Sequence, residues 1–116
     1  LLDIDERAAK TTAATIRDLD RRALVLQCDV SLPEEVERSA ADVIEHLGTP
    51  TDLWANAGVG APGGLLAMDR PTLDWLYAVN VGGMLNLLRA LVPAMVEAAG
   101  ARRVGLTASI SGITRV

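Results

Sequence analysis

Short apolar runs alternate with stretches of helical period along the whole chain, and most runs stop at a small or polar residue. Leu1-Leu2 reads as the end of a strand. Asp5 to Asp20 has Ala9, Ala13 and Ile16 at the spacing of a buried helical stripe. Ala23 to Cys28 is apolar enough for a strand covered on both faces. Ser31 is expected to cap the next helix, with Glu34 completing a capping box and Pro33 in the first turn. Val36, Ala40, Val43, Ile44 and Leu47 give that helix its apolar face, and Gly48 ends it. Asp52 to Ala55 is a short strand, and residues 56–68, rich in Gly, Ala and Pro, form a loop.

Pro71 opens a long helix running to about Ala99. Its inward stripe is predicted to hold Leu73, Leu76, Tyr77, Asn80, Met84, Leu87, Leu88, Leu91 and Met95, with a kink at Pro93. Arg103 to Thr107 is the last strand, and Ala108 to Gly112 the loop after it. This order predicts an α/β fold: a partial Rossmann-like, doubly wound parallel sheet with right-handed crossovers and helices on both faces. Such sheets bind ligands beyond the carboxyl ends of their strands. The residues at those ends are Asp3, Asp29, Asn56 to Gly58, and Ser109.

Composition removes several alternatives. The net charge of −4 argues against a nucleic-acid or anionic-membrane surface, and the pairs Arg21-Arg22 and Arg102-Arg103 read as solvated. The single cysteine, Cys28, permits no disulfide within one chain and reads as a buried strand residue in a reducing, cytoplasmic setting. The apolar stretch Leu85 to Val96 is interrupted by Asn86, Arg89 and Pro93 and is too short to span a bilayer. His46 closes a helix and has no Cys or His neighbour at ligand spacing, so no metal site is expected. Trp54, Trp75 and Tyr77 are expected to be packing residues.

Asp29-Val30, Asn56-Ala57-Gly58, Val79-Asn80-Val81-Gly82 and Ala108-Ser109-Ile110-Ser111-Gly112 follow one another at the order and spacing of a known set of motifs. In them the chain resembles the short-chain dehydrogenase/reductase family of classical type, over essentially its full length. Any one of these motifs is weak; their order after successive strands makes the signal specific. One departure is Ala55, where the family usually carries a first Asn before Asn56. It puts a sheet-stabilising hydrogen bond in question.

The resemblance implies a hydride transfer between NAD, with NADP less favoured, and a carbonyl or secondary alcohol. Asp3, with Ile4 beside it, would accept from the adenosine ribose hydroxyls and repel a 2′-phosphate, although a helix-start acid is the plainer reading of Asp3. Asp29 and Val30 would meet the adenine, although Asp29 also suits a turn. Asn56, Ala57 and Gly58 would let the cofactor approach the backbone closely. Asn80 would hold a water of the proton relay, and Ser109 would hydrogen-bond the substrate oxygen, with Ser111 a weaker candidate. A buried, satisfied amide is the plain reading of Asn80. No His and acid accompany Ser109, which disfavours a serine hydrolase.

Two family elements have no counterpart in residues 1–116: the Gly-rich turn after a first strand, and the Tyr-x-x-x-Lys pair that carries the acid/base chemistry. The chain therefore reads as an incomplete dinucleotide-binding domain, inactive alone, from a parent expected to be a homo-oligomer acting on small alcohols or ketones. In the family's strand order the missing strand would lie between the strand ending at Asp3 and the strand at Leu53. A non-catalytic nucleotide-binding or interaction remnant of the same fold is the alternative.

Overall fold

The computed structural model describes residues 1–109. The elements run β1 (Leu2–Asp3), α1 (Glu6–Arg17), β2 (Leu26–Gln27), α2 (Pro33–Leu47), β3 (Asp52–Ala55), α3 (Arg70–Tyr77), a π-helical segment Ala78–Gly83, α4 (Met84–Glu97) and β4 (Arg103–Leu106). A single 3₁₀ turn, Leu65–Ala67, interrupts the loop before α3. The expected alternation is present, and both strand pairings among the described residues are parallel.

Those pairings form two separate two-stranded sheets, β1 with β2 and β3 with β4. Strand β2 is shorter than Ala23 to Cys28 because its one partner among the described residues supplies two residues. The ladder extends slightly at its ends, where Leu26 N–H donates to Leu1 C=O and Cys28 N–H to Asp3 C=O. In β3–β4, Trp54 stands opposite Gly105, and its indole lies against that bare backbone.

One long helical rod serves both sheets. Leu87 of α4 and Val79 of the π segment share one core cluster with Cys28, Val30 and Val36, which follow β2, and with Ala55 of β3. Leu91 and Met95 continue the core against Leu53 and against Ala40 of α2. Ala9 and Ala13 of α1 are buried apart from these clusters. Burying this apolar stripe drives the association, at roughly 25 cal/mol for each Å² removed from water.

Several expectations need correction. Ser31 does not cap α2: its N–H and hydroxyl both donate to Asp29 Oδ1, at 2.9 and 2.7 Å, so Leu32 takes the cap position without a side-chain bond. Glu34 forms no capping box; Glu35 reaches back instead, its Oε2 accepting from Asp29 N–H at 2.8 Å. The helix continues through Pro93, which is exposed, and the departure from α geometry lies at Ala78–Gly83. That π segment shifts the phase of the rod. Tyr77 and Asn80, expected inside, are therefore exposed, while Leu87, Leu91 and Met95 stay buried.

Trp54, Trp75 and Tyr77 are not core residues, being 72, 47 and 66% exposed. Strand alternation turns Leu53 and Ala55 inward and Trp54 outward. Fused into one rod, the 28 residues Arg70–Glu97 are long enough for a membrane span and contain an 18-residue window of mean hydropathy 1.4, which the interrupted stretch 85–96 did not suggest. Its buried stripe against α2 and β3 gives it a core role in this fold. The basic pairs are not merely solvated: Arg22 donates to the His46 carbonyl, and Arg103 pairs with Asp52.

That last pair joins β3 to β4. The Arg103 guanidinium, helped by the Thr51 hydroxyl, holds the Asp52 carboxyl below its ordinary value of 3.8. A depressed carboxylate stabilises the folded chain fully above its ordinary value and loses that contribution as pH falls through the lowered one. Asp52→Asn, introduced in the full reading frame, should therefore lower the thermal midpoint slightly at neutral pH and progressively less toward acid. A difference from wild type that stays constant with pH would show that the ion pair is not responsible.

Candidate functional site

The site is built where strands end. After β1, Asp3 Oδ1 accepts from Asp5 N–H at 2.9 Å, and Asp5 Oδ1 accepts from Ala8 N–H at 3.0 Å. The cap of α1 is thus Asp5, and Asp3 is not needed for it. Asp3 is exposed and keeps Oδ2 outside these bonds. After β2, Asp29 closes a tight turn through Ser31, leaving its own Oδ2 outside that turn. Ile4, Gln27, Asp29, Leu32, Glu35 and Arg38 line a shallow cleft of about 350 Å³ between these two strand ends. Gln27 Nε2 donates to the Ile4 carbonyl at 3.1 Å and fixes one wall.

After β3, Asn56, Ala57 and Gly58 are all exposed. Asn56 Oδ1 accepts from the Thr107 hydroxyl at 2.8 Å, and Thr107 Oγ1 accepts from the Trp54 indole N–H at 3.2 Å. This chain ties the ends of β3 and β4 together. It supplies a side-chain link between the strands even though Ala55 stands where the family has Asn. Thr107 N–H also donates to the Ala55 carbonyl, so the ladder runs one residue beyond β4.

Asn80 is placed differently from expectation. Its amide is not buried; Oδ1 accepts from Val59 N–H at 2.8 Å and Nδ2 donates to Val59 C=O at 3.0 Å. Both ends of the amide thus hold the loop after β3. A Cβ on Gly58 would sit 3.2 Å from Asn80 Oδ1, so the small residue there lets the loop meet the amide. Ser109 lies two residues past Thr107 and is exposed. Ser111 falls outside the described residues.

Several contributors escaped the sequence reading. Thr107 was visible only as a strand terminus, Gln27 only as part of the run Ala23 to Cys28, Glu35 not at all, and Asn86 as an interruption of an apolar stretch. The Cys28 thiol is buried as expected, and burial pushes its pKa up while the Ser39 hydroxyl opposes that shift. Among the described residues no group of three or more His, Cys, Asp or Glu side chains could hold a metal.

A parallel α/β fold with small and polar residues gathered at its strand ends defines a nucleotide-binding class. Within that class the chain belongs to the short-chain dehydrogenase family, whose sequence model matches residues 1–116. It is similar to the probable oxidoreductase EphD of Mycobacterium tuberculosis, 39% identical over 95 residues, covering 82% of this chain and 16% of that protein. It is also similar to human 17-beta-hydroxysteroid dehydrogenase 13, 34% identical over 97 residues, covering 84% of this chain and 32% of that one. A short chain dehydrogenase/reductase from Burkholderia phymatum, solved in complex with NAD, superposes with a TM-score of 0.93 at 32% identity. That match covers 98% of this chain and 41% of the Burkholderia protein. The chain spans less than half the length of each of these relatives.

Proposed function

We propose that the protein carrying this chain transfers a hydride between NAD and a carbonyl or secondary alcohol. The observation that carries the reading is the placement of Asp3, Asp29, Asn56 and Ser109 at the ends of parallel strands backed by one helical rod. The cleft between β1 and β2 fits an adenine: Ile4 and Leu32 offer apolar walls, and Asp29 offers a carboxylate oxygen to an exocyclic amine. Asp3 Oδ2 is available to ribose hydroxyls and repels a 2′-phosphate, which favours NAD over NADP. When bound, the oxidised cofactor would accept the hydride of an alcohol, and its reduced form would donate one to a carbonyl. Asn56 and Gly58 present backbone to it, Asn80 fixes that backbone through Val59, and Ser109 orients the substrate oxygen.

A homo-oligomer is part of the same proposal. Trp75, Leu85 and Val96 remain exposed along Arg70–Glu97 and would be covered by a second copy. The lone buried thiol suits a reducing cytoplasm.

The test is turnover by the full reading frame with NAD and with NADP over a panel of secondary alcohols. Wild type should prefer NAD. Asp3→Ala should shift the preference toward NADP by about ten- to a hundredfold, because charged hydrogen bonds to the ribose are lost together with a repulsion. Turnover with neither cofactor, or an unchanged preference in Asp3→Ala, would contradict the assignment.

A further inference from the structure

We propose that Gly83 and Asn86 form a latch that holds the Asp29–Ser31 turn against the helical rod and so positions the adenine end of the cofactor; the proposal rests on the dinucleotide reading above. The turn itself has little support from the sheet, since β2 contributes only Leu26–Gln27 to its ladder. Its fixed points come from elsewhere. Asn86 Nδ2 donates to the Val30 carbonyl at 2.9 Å in a half-buried setting, across 56 residues of sequence. Val30 is itself buried and packs with Val79 and Leu87 of the same rod.

Gly83 makes the approach possible. A Cβ there would lie 2.6 Å from Val30 Cγ2, 3.0 Å from Val30 Cβ and 3.4 Å from the Val30 carbonyl oxygen. These distances leave no room for a methyl group unless the turn moves away from the rod, and the Asn86 bond would then stretch. Gly83 and Asn86 therefore act on the same residue, one through contact and one through a hydrogen bond.

The π segment sets the geometry of both. Asn80 lies inside Ala78–Gly83 and holds Val59 after β3; Asn86 lies just beyond it and holds Val30 after β2. In an uninterrupted α-helix the two amides would have a different angular relation, since each residue turns the helix by about 100°. The rod thus grips two strand-end loops from different sheets, and these loops carry opposite ends of the proposed dinucleotide seat. Neither Gly83 nor Asn86 needs to touch the cofactor; they are positioning residues.

The test compares Asn86→Leu and Gly83→Ala with wild type in the full reading frame. ADP-ribose binding, measured by titration calorimetry, should weaken about tenfold in Asn86→Leu, the worth of one half-buried hydrogen bond. KM for NAD should rise to a similar extent with kcat unchanged. Turnover with nicotinamide mononucleotide, which lacks the adenosine, should not change in Asn86→Leu, whereas general loss of structure would lower it. Gly83→Ala should weaken ADP-ribose at least as much; if that variant fails to fold, Asn86→Leu decides alone. Wild-type ADP-ribose binding that Asn86→Leu leaves intact overturns the latch. Absence of ADP-ribose binding in wild type overturns the dinucleotide reading instead.

Discussion

Expressed by itself, the 116-residue chain is expected to elute as aggregates or higher oligomers and to melt without a single sharp transition. The reason lies in the sheet. Its strands form two parallel pairs, and among the described residues β1 and β3 each have one hydrogen-bonded neighbour. An unpaired strand edge presents backbone N–H and C=O groups to any extended segment that approaches it. Two-stranded sheets are also marginal units, and parallel strands normally gain their stability from burial on both faces. Here the β3–β4 pair leaves Trp54 72%, Val104 45% and Leu106 48% exposed.

The helical rod nevertheless packs on both pairs, so the two halves are held at a common core, with no shared strand among the described residues. Extending the chain with an apolar parallel strand that can lie between β1 and β3 should convert this behaviour into a cooperative melt. The gain is a ladder on two edges together with burial of strand surface, several kcal/mol in sum by ordinary values. Size-exclusion chromatography and differential scanning calorimetry on the chain with and without its flanking reading frame would measure it. A monomeric 116-residue chain with one cooperative transition would defeat the argument.

The alternation of elements was legible because it depends on periodicity alone, and the buried positions Ala9, Ala13, Val36, Ala40, Leu87, Leu91 and Met95 follow from the same pattern. The strand-end positions of Asp3, Asp29, Asn56 and Ser109 were legible because they follow from where the apolar runs stop. Three kinds of feature were not. Ser31 looked like a helix cap, but local competition for its hydroxyl was won by Asp29, two residues before it. Asn80 looked buried because an ideal helix phase was assumed, and the π segment moved it to the surface.

The third kind is tertiary. That Thr107 would bridge Trp54 and Asn56, or that Asn86 would find the Val30 carbonyl, depends on elements more than fifty residues apart in sequence. No local pattern encodes such a meeting. A polar residue on a mostly apolar helix, as Asn86 is, gives the single usable hint, because a half-buried amide needs a partner.

Ser109→Ala, made in the full reading frame, is expected to lower kcat by about 10²–10³ while leaving ADP-ribose affinity unchanged. The size is that of removing one preorganised hydrogen-bond donor from a reacting oxygen. The placement supports such a role, because the end of β4 is fixed just before Ser109. Thr107 N–H donates to the Ala55 carbonyl and its hydroxyl to Asn56, so the segment that leads to Ser109 is anchored to the loop that would face the cofactor. Being at a strand end and exposed, Ser109 can reach a substrate without displacing core residues. In the proposed seat the adenosine half would lie at the ends of β1 and β2, on the other pair of strands, so its affinity should be insensitive to this change. Ser111→Ala provides the internal comparison and should cost far less than Ser109→Ala. Steady-state kinetics beside ADP-ribose calorimetry separate the two contributions. Equal losses at both serines, or a Ser109→Ala enzyme with wild-type kcat, would remove the hydroxyl from the chemistry.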